Sequence, residues 1–393
     1  MIRSLRNYVL LVVFVLPGAA TGAQIVPVAN IEELYAAVNN PAYAGATIDL
    51  APGIYPLSAL DATGIPRQND GRLELQLDMS LKGVEGDRSA VIISAVNLPA
   101  SSFPQSNGPN AAVRMGRGRN ALEWVTVRDA RLGQANIDTG LQSLDPDPAY
   151  VRIAHVASTG STRGLNILNF GRQTSGQIIE ADVEDSHFFD NTFNLAEGMR
   201  IGNFQGSVGS RINVRMSGNR FWGQKQGRLV VNNRSSDSTI RVFSSGNRFY
   251  DNGGGTIIAG ALSSNNTRAD GNTIDFEAYG DHFIGNTRDS DFDHGGLILL
   301  GSENVSTLAG GGSNNVVRVK LWGCRMVGND TADLIAIGAR SAVVETASLS
   351  RSNQVTIELH GDGAATGRWQ PIEYTRDSLP EGTYGNTVTV IRY

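Results

Sequence analysis

The residues best equipped for chemistry lie in one short stretch, Asn286-Thr-Arg-Asp-Ser-Asp-Phe-Asp-His-Gly-Gly296. Asp289, Asp291 and Asp293 alternate there, and His294 follows directly. Carboxylate oxygens suit a calcium ion, and a carboxylate beside an imidazole can also supply an acid and a base. The Asp-x-Asp-x-Asp opening is that of a calcium loop, although no Glu closes it; short acidic stretches are also common as solvated turns. Three cations, Arg200, Lys225 and Arg228, fall around the beginnings of two successive apolar runs, Met199-Arg-Ile201 and Leu229-Val-Val231. The candidate site therefore comprises Arg200, Lys225, Arg228 and His294 for proton transfer, with Asp289, Asp291 and Asp293 for a metal.

What must position these residues is a long, weakly charged chain. Of 393 residues 40% are apolar and 18% charged, which suits a packed protein and not a disordered one. A formal net charge of −5 argues against a nucleic-acid partner, whose binding needs a clustered positive surface. The single Cys324 excludes a disulfide framework and a thiolate zinc site, and five His leave little for a histidine-rich metal centre. Arg3 and Arg6, the apolar run Tyr8 to Leu16, and Thr21-Gly22-Ala23 predict a signal peptide over 1–23, with the mature chain beginning at Gln24. Its removal takes the charge from −5 to −7 by loss of two Arg. The expected location is secreted or periplasmic, and no run is long enough for a membrane span.

The mature chain repeats. Ile212–Phe221, Ile240–Phe249, Ile274–Phe283, Val317–Met326 and Val355–Ala364 align without gaps, and Ile179–Phe188 fits with Asp185 in the glycine slot. Each alternates apolar and polar residues, then places a Gly (218, 246, 280, 323, 361), and most place an aromatic residue or Met three positions later. Three residues beyond that position stands Asn191, Gln224, Asn252, Asn286 or Asn329. A second apolar run follows, as at Thr256–Ile258, Leu297–Leu300 and Leu334–Ile337. Period-two alternation excludes a helical solenoid, and strand, turn, strand, loop, strand stacked on copies of itself predicts a parallel β-helix. The recurrent Asn fits, because its amide can bond the same amide one coil away and its backbone tolerates the left-handed region.

The opening of the mature chain points the same way. Val28–Val38 predicts a capping helix with Asn30 as N-cap and Glu33 three residues on, the capping-box pattern. A strand and turn ending Leu50-Ala-Pro-Gly-x-Tyr55 comes next, then Ser80-Leu-Lys-Gly-Val84. This opening resembles that of the right-handed pectate-lyase-like β-helix proteins, and the resemblance extends as architecture over most of 24–393. It implies an all-β, right-handed parallel β-helix solenoid in one domain, with an N-terminal cap over about 24–45. The fold hosts lyases, hydrolases, esterases and non-catalytic proteins. Its polysaccharide lyases use calcium to bind a uronate carboxylate and Arg or Lys to take the adjacent proton, roles the resemblance offers to Arg200, Lys225 and Arg228.

Other chemistries of the fold find no match. The polygalacturonase motifs are lacking, Asp293-His-Gly-Gly296 being the nearest approach. Gly53-Ile-Tyr-Pro-Leu57 lacks the acid of the pectin methylesterase pattern. Two outward columns can be written from the alternation: Glu180, Asn213, Arg241, Asp275, Arg318, Thr356, and Asp182, Arg215, Phe243, Glu277, Lys320, Glu358. Their alternating signs read as a solvated face of paired charges, or else as a groove for an anionic sugar. The second apolar runs are apolar at both parities, so their outer face needs a dry cover, either a packed loop or a ligand. Three functions are therefore expected of the chain: a lyase-type enzyme on acidic polysaccharide, a non-catalytic secreted or surface scaffold or binding protein, or an enzyme or binder for an apolar small molecule.

Overall fold

The computed structural model describes residues 24–103, 110–140, 145, 147–169, 175–193, 196–204, 206–263, 269–288, 295–304, 312–330, 333–341, 350–361, 371–374 and 385–393. For 263, 303, 304, 340, 341 and 371–374 it describes the backbone alone. The expected signal peptide, 1–23, lies outside these residues.

Each coil holds three strands. Ile178–Glu184, His187–Phe189 and Glu197–Asn203 make one, and Arg211–Ser217, Arg220–Trp222 and Gly227–Asn233 make the next. Equivalent residues lie side by side, Ile179 against Ile212, then Ile240, Ile274, Val317 and Val355. All these pairings are parallel, and among the described residues they build sheets of twelve, ten and nine strands, with a short three-stranded sheet beside them. The chain is a right-handed parallel β-helix, the hand that twisted strands impose on such crossovers. At its N-terminal end α1 (Ile31–Val38) turns Leu34, Tyr35, Ala37 and Val38 onto the first coils. Asn30 Oδ1 accepts from Glu33 N at 3.0 Å as expected of the N-cap, while the Glu33 carboxylate accepts from Ala29 N and Asn30 Nδ2, each at 2.7 Å, in place of the Asn30 N–H of a standard capping box. Val28 belongs instead to the strand Ile25–Val28, because it pairs with Leu50.

The turn from the twelve- to the nine-stranded sheet is two residues long, and its chemistry explains the repeat. Its first residue is left-handed, with φ of 66° at Gly218, 62° at Gly246, 63° at Gly280 and 57° at Gly323, a conformation glycine adopts without steric cost. Its second residue points inward and bonds to the coil above and the coil below. Asn219 Nδ2 donates to Val183 O at 2.8 Å and Asn247 Oδ1 at 2.9 Å; Asn247 Nδ2 donates to Met216 O at 3.0 Å. At Asp281 the ladder holds a carboxylate, which accepts from Asn247 N at 2.8 Å and from the Ser244 hydroxyl. Burial pushes Asp281 up to about 6, against those bonds.

A carboxyl raised in the folded state stabilises below its unfolded value near 3.8, and that contribution is lost as pH rises through about 6. Asp281→Asn keeps the accepting oxygen and adds an amide that can donate to Ser244 Oγ. The variant is expected to be more stable than wild type at pH 7–8 by up to about 3 kcal/mol, with no difference at pH 3. Denaturant midpoints across that pH range check it, and equal midpoints at pH 8 would refute it.

A second ladder follows the nine-stranded sheet. Asn252 N and Nδ2 both donate to Asn286 Oδ1, at 3.2 and 3.0 Å, and Asn286 Nδ2 donates to Asn329 Oδ1 at 2.7 Å. Between the ladders the rings of Phe188, Phe221, Phe249 and Phe283 stack at 5.0, 4.7 and 4.8 Å in the core. The outer face of the ten-stranded sheet is apolar in its later coils, as the double-parity runs require. There Val230, Ile257, Ala259, Leu262, Ile298, Leu300, Ile335 and Ile337 form a separate buried cluster. An open apolar patch is therefore not what this face presents.

Candidate functional site

Earlier in the solenoid the same outer face is polar. One column crosses five coils in register, Glu74, Arg114, Asp138, Asn166 and Arg200, and continues into Val230. Successive members are separated by one strand spacing, about 4.8 Å. Inward-facing neighbours such as Val113, Ile137, Leu165 and Met199 anchor these strands in the core.

Asp138 is fully buried, and burial pushes its carboxyl up to about 6. Gly140 N at 2.6 Å and Asn166 Nδ2 at 3.3 Å bond to it, and the charges of Arg114 and Arg163 act in the same lowering sense. Arg114 bonds Gly140 O at 3.3 Å, Glu74 at 3.4 Å and the carboxylate of Asp145.

At the other end of the column two arginines share one acid, and a third lies one coil on. Glu197 Oε2 accepts from Arg163 Nε at 2.9 Å and Arg200 Nε at 2.8 Å, and Arg200 Nη2 bonds the other oxygen. Burial pushes the Glu197 carboxyl up, but Arg163 and Arg200 outweigh it and hold it below its ordinary value. Arg234, one coil on, is lowered by burial first, then by the like charges of Arg200 and Arg163. Its guanidinium lies 4.9 Å from the Phe204 ring centroid, and its Nε is buried without a partner among the described residues. Asn232, two residues before it, is buried with neither amide atom bonded among the described residues. Two arginines sharing one carboxylate, with Arg234 unpaired beside them among the described residues, suit a bound anion.

Of the residues expected from sequence, Arg200 stands in this cluster. Arg228 does not join it. It occupies the slot of Gly164 and Gly198, where the strand bulges, and its guanidinium turns inward, 5.5 Å from the Phe283 centroid and 6.0 Å from that of Phe249. Nε donates to Thr256 Oγ1 at 2.7 Å and Nη2 to Gly296 O at 2.9 Å, while Nη1 has no partner. Lys225 is exposed in the turn before Gly227, whose register partner is Glu197. Asp289, Asp291, Asp293 and His294 lie outside the described residues. Among the described residues no three His, Cys, Asp or Glu side chains converge as metal ligands.

Asp138, Arg114, Arg163, Glu197 and Arg234 were not expected as site residues. Residues 24–169 lie largely before the gap-free repeats, so no alignment put Asp138 in a column with Arg200. The twelve-stranded sheet carries the paired columns anticipated from sequence. Arg318 meets Asp275 at 3.0 Å, Arg241 meets Asp275 at 3.7 Å and Lys320 meets Glu277 at 3.9 Å, along an open groove of about 1040 Å³.

No protein-family model and no curated protein matches the chain. Among solved structures it is similar to the A-modules of two Azotobacter vinelandii mannuronan C-5 epimerases. For AlgE6 the identity is 16% over 92% of this chain and 94% of that one, with a TM-score of 0.44. For AlgE4 it is 14% over 93% and 94%, with a TM-score of 0.46. Pectate lyase Pel9A is 14% identical over 93% of this chain and 89% of its own, with a TM-score of 0.41. The likeness is one of architecture, and the strand order and register given above independently make the chain a right-handed parallel β-helix.

Proposed function

We propose that the protein is an exported, carbohydrate-active β-helix that takes an acidic polysaccharide against the polar half of the ten-stranded sheet and cleaves it by β-elimination. The supporting observation is that Arg163 and Arg200 share the carboxylate of Glu197, while Arg234, one coil on, has no ion-pair partner among the described residues. Burying unbalanced charge is costly, and a scaffold had an alternative at hand, the aliphatic residues that fill this face two coils later. A uronate carboxylate supplies the missing anion.

With its carboxylate at Arg163, whose charge acts on both Glu197 and Asp138, a uronate brings its own C5 toward Asp138. Neutralising the carboxylate acidifies the neighbouring C5 proton, which Asp138, ionised above pH 6, accepts. The C5–H electrons form the C4=C5 double bond, the C4–O bond breaks, and the departing oxygen takes a proton from water. Asp138 is fully buried, so the sugar reaches it only once its cover moves aside. In this reading Lys225, exposed at the start of the next strand, is a further contact for the anion, whereas Arg228 faces the interior. The chemistry rests on the protein's own side chains, and no step passes through calcium or the segment that bears Asp289 and His294.

Incubation with alginate and with polygalacturonate is expected to release an ultraviolet-absorbing unsaturated uronate. Absence of product on both, and on a wider uronan panel, would refute the elimination. Binding without product would favour the second reading, a non-catalytic binding protein, which the closed state of Asp138 supports.

A further inference from the structure

The outer face of the nine-stranded sheet carries a column that neither the fold nor the reaction uses. The residue preceding each core Phe, and Met326 in the fifth coil, is His187, Arg220, Arg248, His282 and Arg325 in consecutive coils, each the register partner of the next. Arg220, Arg248 and Arg325 are exposed, and among the described residues no ion pair or side-chain hydrogen bond engages them. Arg220 and Arg248 stand directly opposite one another, an arrangement that destabilises a sheet. Asp185, in the turn before His187, acts on His187 and Arg88 at one end of the column only. Burial, then Arg88 and Arg220, push His187 down to about 4; burial, then Arg248 and Arg325, lower His282. The imidazoles are therefore neutral spacers at pH 7, and the arginines carry the charge. Beside them run Phe189, Trp222 and Tyr250, stacked at 4.6 and 5.7 Å.

We infer that this column is a second binding strip, taking a linear acidic polysaccharide parallel to the solenoid axis on a face separate from the ten-stranded sheet. Five coils at the strand spacing extend about 19 Å, enough for several sugar rings. Aligned arginines match carboxylates repeated along one edge of such a chain. A single-stranded nucleic acid is the lesser fit, because it needs free aromatic faces for its bases and the Trp222 faces are covered by Phe189 and Tyr250. The net charge of −5 adds no long-range attraction for a polyanion beyond the strip itself. The inference rests on the functional reading above for its choice of uronan, and on the column alone for the strip.

The test compares the full chain with the triple variant Arg220→Ser, Arg248→Ser, Arg325→Ser, all three at exposed positions, and separately with Arg200→Ser. Calorimetric titration uses an alginate oligomer, with dextran and an oligothymidylate as the other probes, at two salt concentrations. The triple variant is expected to bind alginate about tenfold or more weakly, with a flatter salt dependence, while turnover of a dimer or trimer is unchanged. Unchanged alginate affinity in the triple variant overturns the strip, as does tighter binding of oligothymidylate than of alginate by wild type. Loss of binding in Arg200→Ser alone overturns the strip and leaves the functional proposal standing. Loss in the triple variant, with no elimination by wild type on any uronan, supports the strip and removes the proposed reaction.

Discussion

Replacing Asp138 with asparagine is expected to cut elimination by about a hundredfold to ten-thousandfold, the contribution of a positioned general base. Binding of the uronan should be largely kept, because the arginine cluster is untouched. In wild type kcat/KM should rise with pH through a midpoint near 6, where Asp138 ionises, and the residual rate of the variant should lack that midpoint. Stability should move the opposite way. A carboxyl raised from 3.8 to about 6 contributes stability at low pH that disappears as pH climbs through 6, so the amide removes a cost at neutral pH. Two units correspond to about 3 kcal/mol in favour of the variant at pH 7. Asn166 helps, since its Oδ1 has no partner and a flipped amide can accept from the new one. A residue with only a structural role would lose stability and activity together; a more stable, inactive, ligand-binding variant is the signature of a base. Full activity in Asp138→Asn would end its assignment.

Asn252→Leu is expected to be the most damaging of the ladder substitutions. The Asn252 amide donates to Phe221 O, Tyr250 O and Asn286 Oδ1, each at 3.0 Å, and accepts from Gln224 N at 3.2 Å. Leucine is of similar size and makes none of these bonds. It would leave one buried N–H and at least one carbonyl unpaired beside the Phe221 and Phe249 rings. Each such group costs about 1–3 kcal/mol, so a total near 3–5 kcal/mol follows. The loss should lower the denaturation midpoint strongly, and because coils contact only their neighbours, protection from hydrogen exchange should fail first around 219–287. Exchange that speeds up evenly along the chain would contradict a coil-by-coil account. The contrast with Asp281→Asn is instructive, since one substitution empties a ladder position and the other completes one.

The architecture was legible because its causes are local and repeated. Alternation assigns each side chain to a face, glycine marks the left-handed turn residue, and asparagine can bridge coils. Registers follow from these alone, and Glu180, Asn213, Arg241, Asp275 and Arg318 lie side by side as anticipated. The residue before each core ring also sat in that alignment, so the basic column was written in the repeat and needed only to be read down the coils. The site was decided otherwise. Whether Arg228 faces sugar or core turns on one bulge at the level of Gly164 and Gly198, which alternation does not encode. The meeting of Arg163 and Arg200 on Glu197, with Arg234 one coil on, joins residues from three coils, and the raised carboxyl of Asp138 comes from its burial. Local sequence set the coil because backbone geometry is a short-range property. Charge, burial and convergence depend on what lies across the stack, and the tertiary structure alone supplies that.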